Sequence, residues 1–134
     1  MDASGRHAWV PAALAAGAVY ILIGRVFALP TDNVGAWRLA AWVVSGLVFA
    51  SHIGYECFRL HHPAVRSAWH TSVAAALGGF GLAVAANIHD VGSVSGYRTQ
   101  MLAALVVWPL LTGVPAFLVA FGAAALLTRF AKRT

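Results

Sequence analysis

Polar residues that could hold a proton or a metal ion recur between residues 38 and 59. Four of them are spaced by seven, and a glutamate lies four residues after the third: Arg38, Ser45, His52 and Arg59, with Glu56. Residues seven apart drift by only about 20° around a helix, so all five are expected on one face. His52 and Glu56 are direct neighbours at i and i+4. An imidazole beside a carboxylate is a combination that handles protons or binds Zn²⁺.

The next segment of the chain adds a third candidate ligand. We expect His70 to lie at about the same membrane depth as Glu56, which makes His52, Glu56 and His70 candidate proton or metal ligands. A simpler interpretation, which we prefer on the sequence, pairs Glu56 with Arg59 at the membrane interface and leaves His52 hydrogen-bonded inside the bundle. The sequence 61–63, His-His-Pro, is typical of an exposed loop.

Haem is a weaker hypothesis, because a flat cofactor needs an axial histidine. His52 is expected about 9 Å inside the end of its helix, at 1.5 Å per residue. The matching depth on the next helix lies near residues 76–78, and no histidine is found there. We therefore predict no cofactor, with haem or a divalent metal kept as alternatives.

A second polar group is expected at the opposite membrane face. Its members lie near predicted helix ends: Arg25, Asp32, Arg38, His89 and Asp90. Because three of these residues are basic or imidazole and two are acidic, they predict an interfacial ion-pair network that joins the first three helices. A site for a lipid headgroup or a small anion is the alternative.

These residues are carried by four long apolar segments. Of the 134 residues, 60% are hydrophobic and 10% are charged, far below the 25% or so of charged residues in soluble domains. The segments are residues 8–29, 37–58, 69–89 and 101–128, and each is near the 20 or so residues that span a bilayer as a helix. The sequence predicts an all-α integral membrane four-helix bundle, a single domain over residues 1–134.

Two of these helices have further distinctive residues. Small residues of the third helix, at Ala74, Gly78, Gly81 and Ala85, predict a face that packs closely on a neighbouring helix. Pro109 and Pro115 interrupt the backbone hydrogen bonds of the fourth helix, which predicts a kink. We interpret that kink as static rather than as a substrate site.

Orientation follows from the basic residues beside the segments. With antiparallel up-down topology, one side has six of them (Arg6, Arg59, Arg66, Arg129, Lys132 and Arg133) and the other has three (Arg25, Arg38 and Arg98). The positive-inside rule then predicts both termini in the cytoplasm. We expect a multi-pass protein of a bacterial-type inner membrane.

The function is less constrained than the architecture. The chain contains no nucleophile triad, phosphate loop or CxxC pair, and its basic residues flank apolar segments instead of forming a nucleic-acid-binding patch. We predict a non-enzymatic accessory or interaction subunit that contacts the lipid bilayer and self-associates or joins other membrane subunits. The alternatives are a minimal oligomeric transporter or proton- or ion-conducting subunit, and a haem- or metal-binding electron-transfer protein.

Overall fold

The computed structural model describes residues 8–89 and 98–131, which form four helices and, within these ranges, no strand. They are α1 (Trp9–Val26), α2 (Val34–Gly54), α3 (Ala64–His89) and α4 (Arg98–Ala131). A π-helical segment, Tyr55–Arg59, extends α2. All four helices are long and apolar enough to cross a membrane.

The helix ends differ from the predicted ones by a few residues, for local reasons. α1 ends at Val26, before Pro30, since proline disfavours helical backbone in the residue that precedes it. α2 begins after Asn33, whose left-handed backbone (φ 48°) is tolerated by asparagine. α3 begins at Ala64, five residues earlier than predicted, because Pro63 is well suited to the start of a helix.

α3 is the central helix and packs mainly on α4 and α1. One apolar cluster joins the end of α2 to α3 and α4: Ile53, Cys57, Ala68, Ala120 and Ala124. A second joins α1 to α3: Ala13, Ala16 and Ala74. Alanine dominates both clusters, so the helix backbones approach closely, as is common where lipid supplies no hydrophobic drive for helix association.

The small-residue face of α3 is packed against α1. A Cβ on Gly78 would lie 2.6 Å from the Cβ of Tyr20, and one on Gly81 would overlap the side chain of Ile21. Ala74 is fully buried, whereas Ala85 is half-buried. α1 therefore uses the lack of side chains at the two glycines to reach α3.

Polar contacts join α3 to α4. Ser72 Oγ donates to the carbonyl of Gly113 at 2.8 Å, and Asn87 Nδ2 donates to that of Met101 at 2.9 Å. Pro109 and Pro115 both lie inside α4, which continues through them as one helix. The kink predicted at these two residues stays a prediction.

α2 is packed least. None of the residues in its most apolar stretch of 18 is buried, and its contacts with α3 and α4 are sparse. The buried residues of α2 and its π-helical extension lie at its end: His52, Ile53, Glu56 and Cys57.

Candidate functional site

Glu56 lies in the π-helical segment and has no exposed surface. The backbone N–H of Leu60 donates to the carbonyl of Tyr55 at 3.1 Å, an i to i+5 bond, and that of His62 donates to the carbonyl of Glu56 at 3.1 Å. A π-turn holds one more residue than an α-turn and is frequent at functional sites. Here it turns the chain back so that the residues after α2 return to Glu56.

One oxygen of Glu56 accepts two imidazole bonds. His62 Nδ1 lies 2.6 Å from Oε2, and His70 Nδ1 lies 2.9 Å from the same atom. The atoms through which these three residues could bind a metal ion, one ring nitrogen of each histidine and one carboxylate oxygen, all lie within 4.8 Å of one another. We call Glu56, His62 and His70 the Glu56 triad. It joins the π-helical end of α2, the segment 60–63 that leads to α3, and α3 itself.

A third histidine stands on the other side of the carboxylate. His52 Nε2 lies 3.7 Å from Oε1 of Glu56, too far for a good hydrogen bond. The side chain of His52 is only 4% exposed, and no described residue hydrogen-bonds to either of its ring nitrogens. Oε1 of Glu56 likewise accepts no hydrogen bond from the described residues.

The rings of the triad are held by packing. Trp9 of α1 stacks on His70, with ring centroids 4.1 Å apart and planes 4° from parallel. His62 and His70 meet edge to face, with centroids 5.1 Å apart. The stacking of Trp9 fixes the orientation of the His70 ring beside Glu56.

The arrangement has the ligand types of a transition-metal site. Imidazole nitrogen and carboxylate oxygen are common ligands of Zn²⁺, with bonds of about 2.0–2.2 Å. Two such ligands on a tetrahedral ion lie about 3.3 Å apart. The nitrogen–oxygen distances here are 2.6 and 2.9 Å, so the ligand atoms are at hydrogen-bond distance, somewhat closer than around a metal ion. Small outward movements of two side chains would admit an ion.

Among the residues predicted from the sequence, His52, Glu56 and His70 lie together. For His62 the sequence predicts an exposed loop, yet in the structure its side chain makes the shortest contact with Glu56. The sequence-preferred pairing of Glu56 with Arg59 is replaced by the histidine contacts, and Arg59 is exposed. The π-turn explains the difference, because it directs the carboxylate inward and Arg59 outward.

His62 had one signal in the sequence. It precedes Pro63, and proline tends to begin a helix, so His62 is expected at the entry to α3, eight residues or a little over two helical turns before His70. The neighbouring His61 has left-handed backbone (φ 53°) and an exposed side chain. The two adjacent histidines thus have opposite environments.

The predicted ion-pair network is not formed by the members that the structure describes. Arg25, Asp32 and Arg38 are all exposed, and none of the ion pairs found among the described residues joins them. The side chain of His89 and the whole of Asp90 lie outside the described residues. The three exposed residues are therefore available to solvent or to lipid headgroups.

Comparison with protein-family models, with curated proteins and with solved structures finds no match for this chain.

Proposed function

We propose that this chain is a small multi-pass membrane protein that binds one divalent transition-metal ion, Zn²⁺ or an ion of similar preference, at the Glu56 triad. The observation that carries the proposal is the meeting of one carboxylate and two imidazoles, with their ligand atoms within 4.8 Å of one another, where Glu56 and His70 are buried and His62 is half-buried. Buried charged groups need a partner, and either a shared proton or a metal ion serves. The metal takes the place of the protons that the histidines donate to Glu56.

The ligand set, two imidazole nitrogens and one carboxylate oxygen, favours an ion such as Zn²⁺ over Mg²⁺ or Ca²⁺. Magnesium and calcium ions prefer shells of oxygen ligands, whereas two of the three donors here are nitrogens. The stacking of Trp9 on His70 orients one ligand, in the way that outer contacts usually fix metal-bound histidines. With three protein ligands, a fourth position remains for water.

We further propose that the helices are arranged as an antiparallel up-down bundle in a bacterial-type inner membrane, with both termini in the cytoplasm. The contacts of Ser72 with Gly113 and of Asn87 with Met101 support opposite directions for α3 and α4. The excess of basic residues, six against three, supports the orientation. The triad then lies near the cytoplasmic face, where the protein acts as a non-enzymatic metal-binding subunit.

The two adjacent histidines allow a matched test. His62→Asn removes a triad ligand, whereas His61→Asn changes an exposed neighbour whose left-handed backbone asparagine also tolerates. Protein purified in detergent and stripped with a chelator is titrated with Zn²⁺ by calorimetry. We expect one equivalent to bind to the parent and to His61→Asn. For His62→Asn we expect a loss of affinity above the roughly 10–100-fold that loss of an outer contact costs.

Glu56→Gln tests the same site independently, because it removes the anionic ligand and keeps the size of the side chain. Asp32→Asn, at an exposed carboxylate, is its control. Zinc binding that is unchanged in both Glu56→Gln and His62→Asn would show that the triad is only a structural hydrogen-bond cluster. Absence of stoichiometric binding in the parent would reject the metal proposal outright.

A second candidate function rests on α2. Trp42 of α2 is 78% exposed, and the helix contributes little to packing within the chain. We propose that this outer face contacts a second copy, as an interaction subunit would. In a chain that lacks Cys57 (Cys57→Ala), a cysteine introduced by Trp42→Cys should then form disulfide-linked dimers in membranes. A cysteine introduced by Leu126→Cys, at an exposed position of α4, should not. Equal cross-linking at the two positions would reject this interface.

A further inference from the structure

A groove of about 400 Å³ runs between α1 and α2. Ala12 and Ala16 of α1 and Val44 and Val48 of α2 form much of its apolar wall. The alanines leave room because they end at Cβ, and α2 is too loosely packed to close over them. This volume is within the roughly 300–1,000 Å³ of small-molecule sites, and its lining suits a hydrocarbon chain.

The groove becomes polar along α2. After Val48 the lining residues are Ser51, His52 and Tyr55, so the polar end lies next to the Glu56 triad. His52 is more than nine-tenths buried, and neither ring nitrogen has a hydrogen-bond partner among the described residues. Leaving such a buried group without a partner is unfavourable, because its lost hydrogen bonds to water are not replaced. A ligand in the groove would therefore be stabilised by an acceptor placed at His52.

The positive charge of Arg59, beyond His52 along the π-helical end of α2, indicates the kind of ligand. Arg59 follows Tyr55 by four residues in the π-helical segment, a little less than one turn, and its side chain is exposed. Passing along the groove towards the membrane interface, a ligand thus meets apolar walls, then an imidazole, then a guanidinium. That order matches the acyl chain, the ester carbonyl and the phosphate of a phospholipid. Guanidinium binds phosphate well and attracts anionic lipids.

We propose that the groove between α1 and α2 is a binding site for one anionic phospholipid. An acyl chain occupies the apolar part, an ester carbonyl accepts a hydrogen bond from the His52 ring, and the headgroup phosphate lies near Arg59. This site is separate from metal binding at the Glu56 triad. It assigns a partner to the buried imidazole that the triad leaves without one.

The test is native mass spectrometry of the full chain in mild detergent, with added phosphatidylglycerol or phosphatidylcholine. We expect one phosphatidylglycerol per chain, bound in preference to phosphatidylcholine. Ala12→Phe fills the groove and should abolish retention of the lipid. Ala18→Phe adds the same ring on an exposed position of α1 that does not line the groove, and it should bind lipid like the parent.

Arg59→Gln gives a second readout, at an exposed residue that none of the ion pairs among the described residues includes. It should lower the preference for phosphatidylglycerol about five-fold, the effect of one basic side chain near an anionic lipid. Equal retention of lipid by Ala12→Phe and Ala18→Phe would overturn the proposal, as would equal binding of the two lipids by the parent. Retention of a quinone instead of a phospholipid would also overturn it. If Ala12→Phe fails to fold, an unchanged lipid preference in Arg59→Gln is sufficient to reject the site.

Discussion

At the scale of single residues, the two oxygens of Glu56 have different surroundings. Oε2 accepts from both His62 and His70, whereas Oε1 faces His52 across 3.7 Å. The hydrogen bonds to Oε2 already hold the carboxylate and the two imidazoles together, so the metal-free site is partly organised before an ion enters. An ion that binds both histidines then replaces the two protons.

Trp9 is predicted to act on metal binding through His70. Trp9→Leu removes the stacked ring, so the His70 imidazole gains freedom, and we expect zinc affinity to fall about ten-fold, as for other outer contacts of metal ligands. Trp9→Phe keeps an aromatic face and should remain within about three-fold of the parent on the same reasoning. Calorimetric titration with Zn²⁺ measures both.

Trp69→Leu is the matched control, because Trp69 precedes His70 directly but is 60% exposed and contacts Phe117. We expect its zinc affinity to equal that of the parent. An equal loss of affinity in Trp69→Leu and Trp9→Leu would mean that the effect comes from general destabilisation of α3, and not from the stacked ring.

At the scale of elements, the π-helical segment sets the position of the site. Deleting Phe58, which is 59% exposed, should allow α2 to continue as an α-helix to its end. Loss of one residue turns everything after it by about 100° relative to Glu56, which carries His62 out of reach. We expect zinc affinity to fall by more than ten-fold with the helical circular dichroism unchanged.

Phe58→Ala is the control for that deletion, since it keeps the number of residues and removes only the exposed ring. It should bind zinc like the parent. Normal zinc binding by the deletion variant would show that the π-turn is not what brings His62 to Glu56.

The glycines of α3 are predicted to differ in how they tolerate a side chain. Gly78→Ala brings a methyl group to 2.6 Å from the Cβ of Tyr20, an atom fixed to the α1 backbone, so α1 must move. At Gly81 the obstacle is the flexible end of Ile21, which can rotate away. We expect Gly78→Ala to destabilise the protein by about 1–3 kcal/mol, and Gly81→Ala by less. Gly81→Leu exceeds the space that Ile21 can yield and should also destabilise.

Gly46→Ala is the matched control in a helix interior, because nothing lies within 4 Å of its added Cβ. Helix propensity alone should make it about 0.5–1 kcal/mol more stable than the parent. Thermal unfolding in detergent measures all four variants. A Gly78→Ala protein as stable as Gly46→Ala would contradict close packing of α1 on α3.

At the scale of the whole molecule, the predicted orientation is testable with reporter fusions. Fusions to the two ends should report the cytoplasm, and a fusion inserted near Asn33 should report the other side, because the basic residues divide six to three. Replacing Arg59 and Arg66 by glutamine reduces the basic residues on the proposed cytoplasmic side from six to four and should give a mixed orientation. Opposite locations for the two ends would mean that one of the four segments does not cross.

The sequence predicts the fold better than the site, for physical reasons. Segment length and apolar content define the four helices, since lipid requires satisfied backbone groups. The proximity of His52 to Glu56 follows from their spacing of four residues on one helix, so the sequence predicts it. The position of His62 beside Glu56 depends on a π-turn and on the left-handed backbone of His61. Neither has a reliable signature in the residue types, and the stacking of Trp9 on His70 joins residues 61 positions apart.

The loose packing of α2 has a consequence for synthesis of the chain. In the proposed membrane arrangement α2 leaves the ribosome before α3, so Glu56 and His52 reach the bilayer while His70 is still inside the ribosome. During that interval the carboxylate has only its own helix and the interfacial water to satisfy it, and a charge deeper in the bilayer would cost about 2.5–3.5 kcal/mol. Its place near the end of α2 keeps the carboxylate within reach of water until α3 arrives. Insertion of α2 and completion of the site are therefore ordered in time, because His62 and His70 reach Glu56 only after α2 has entered.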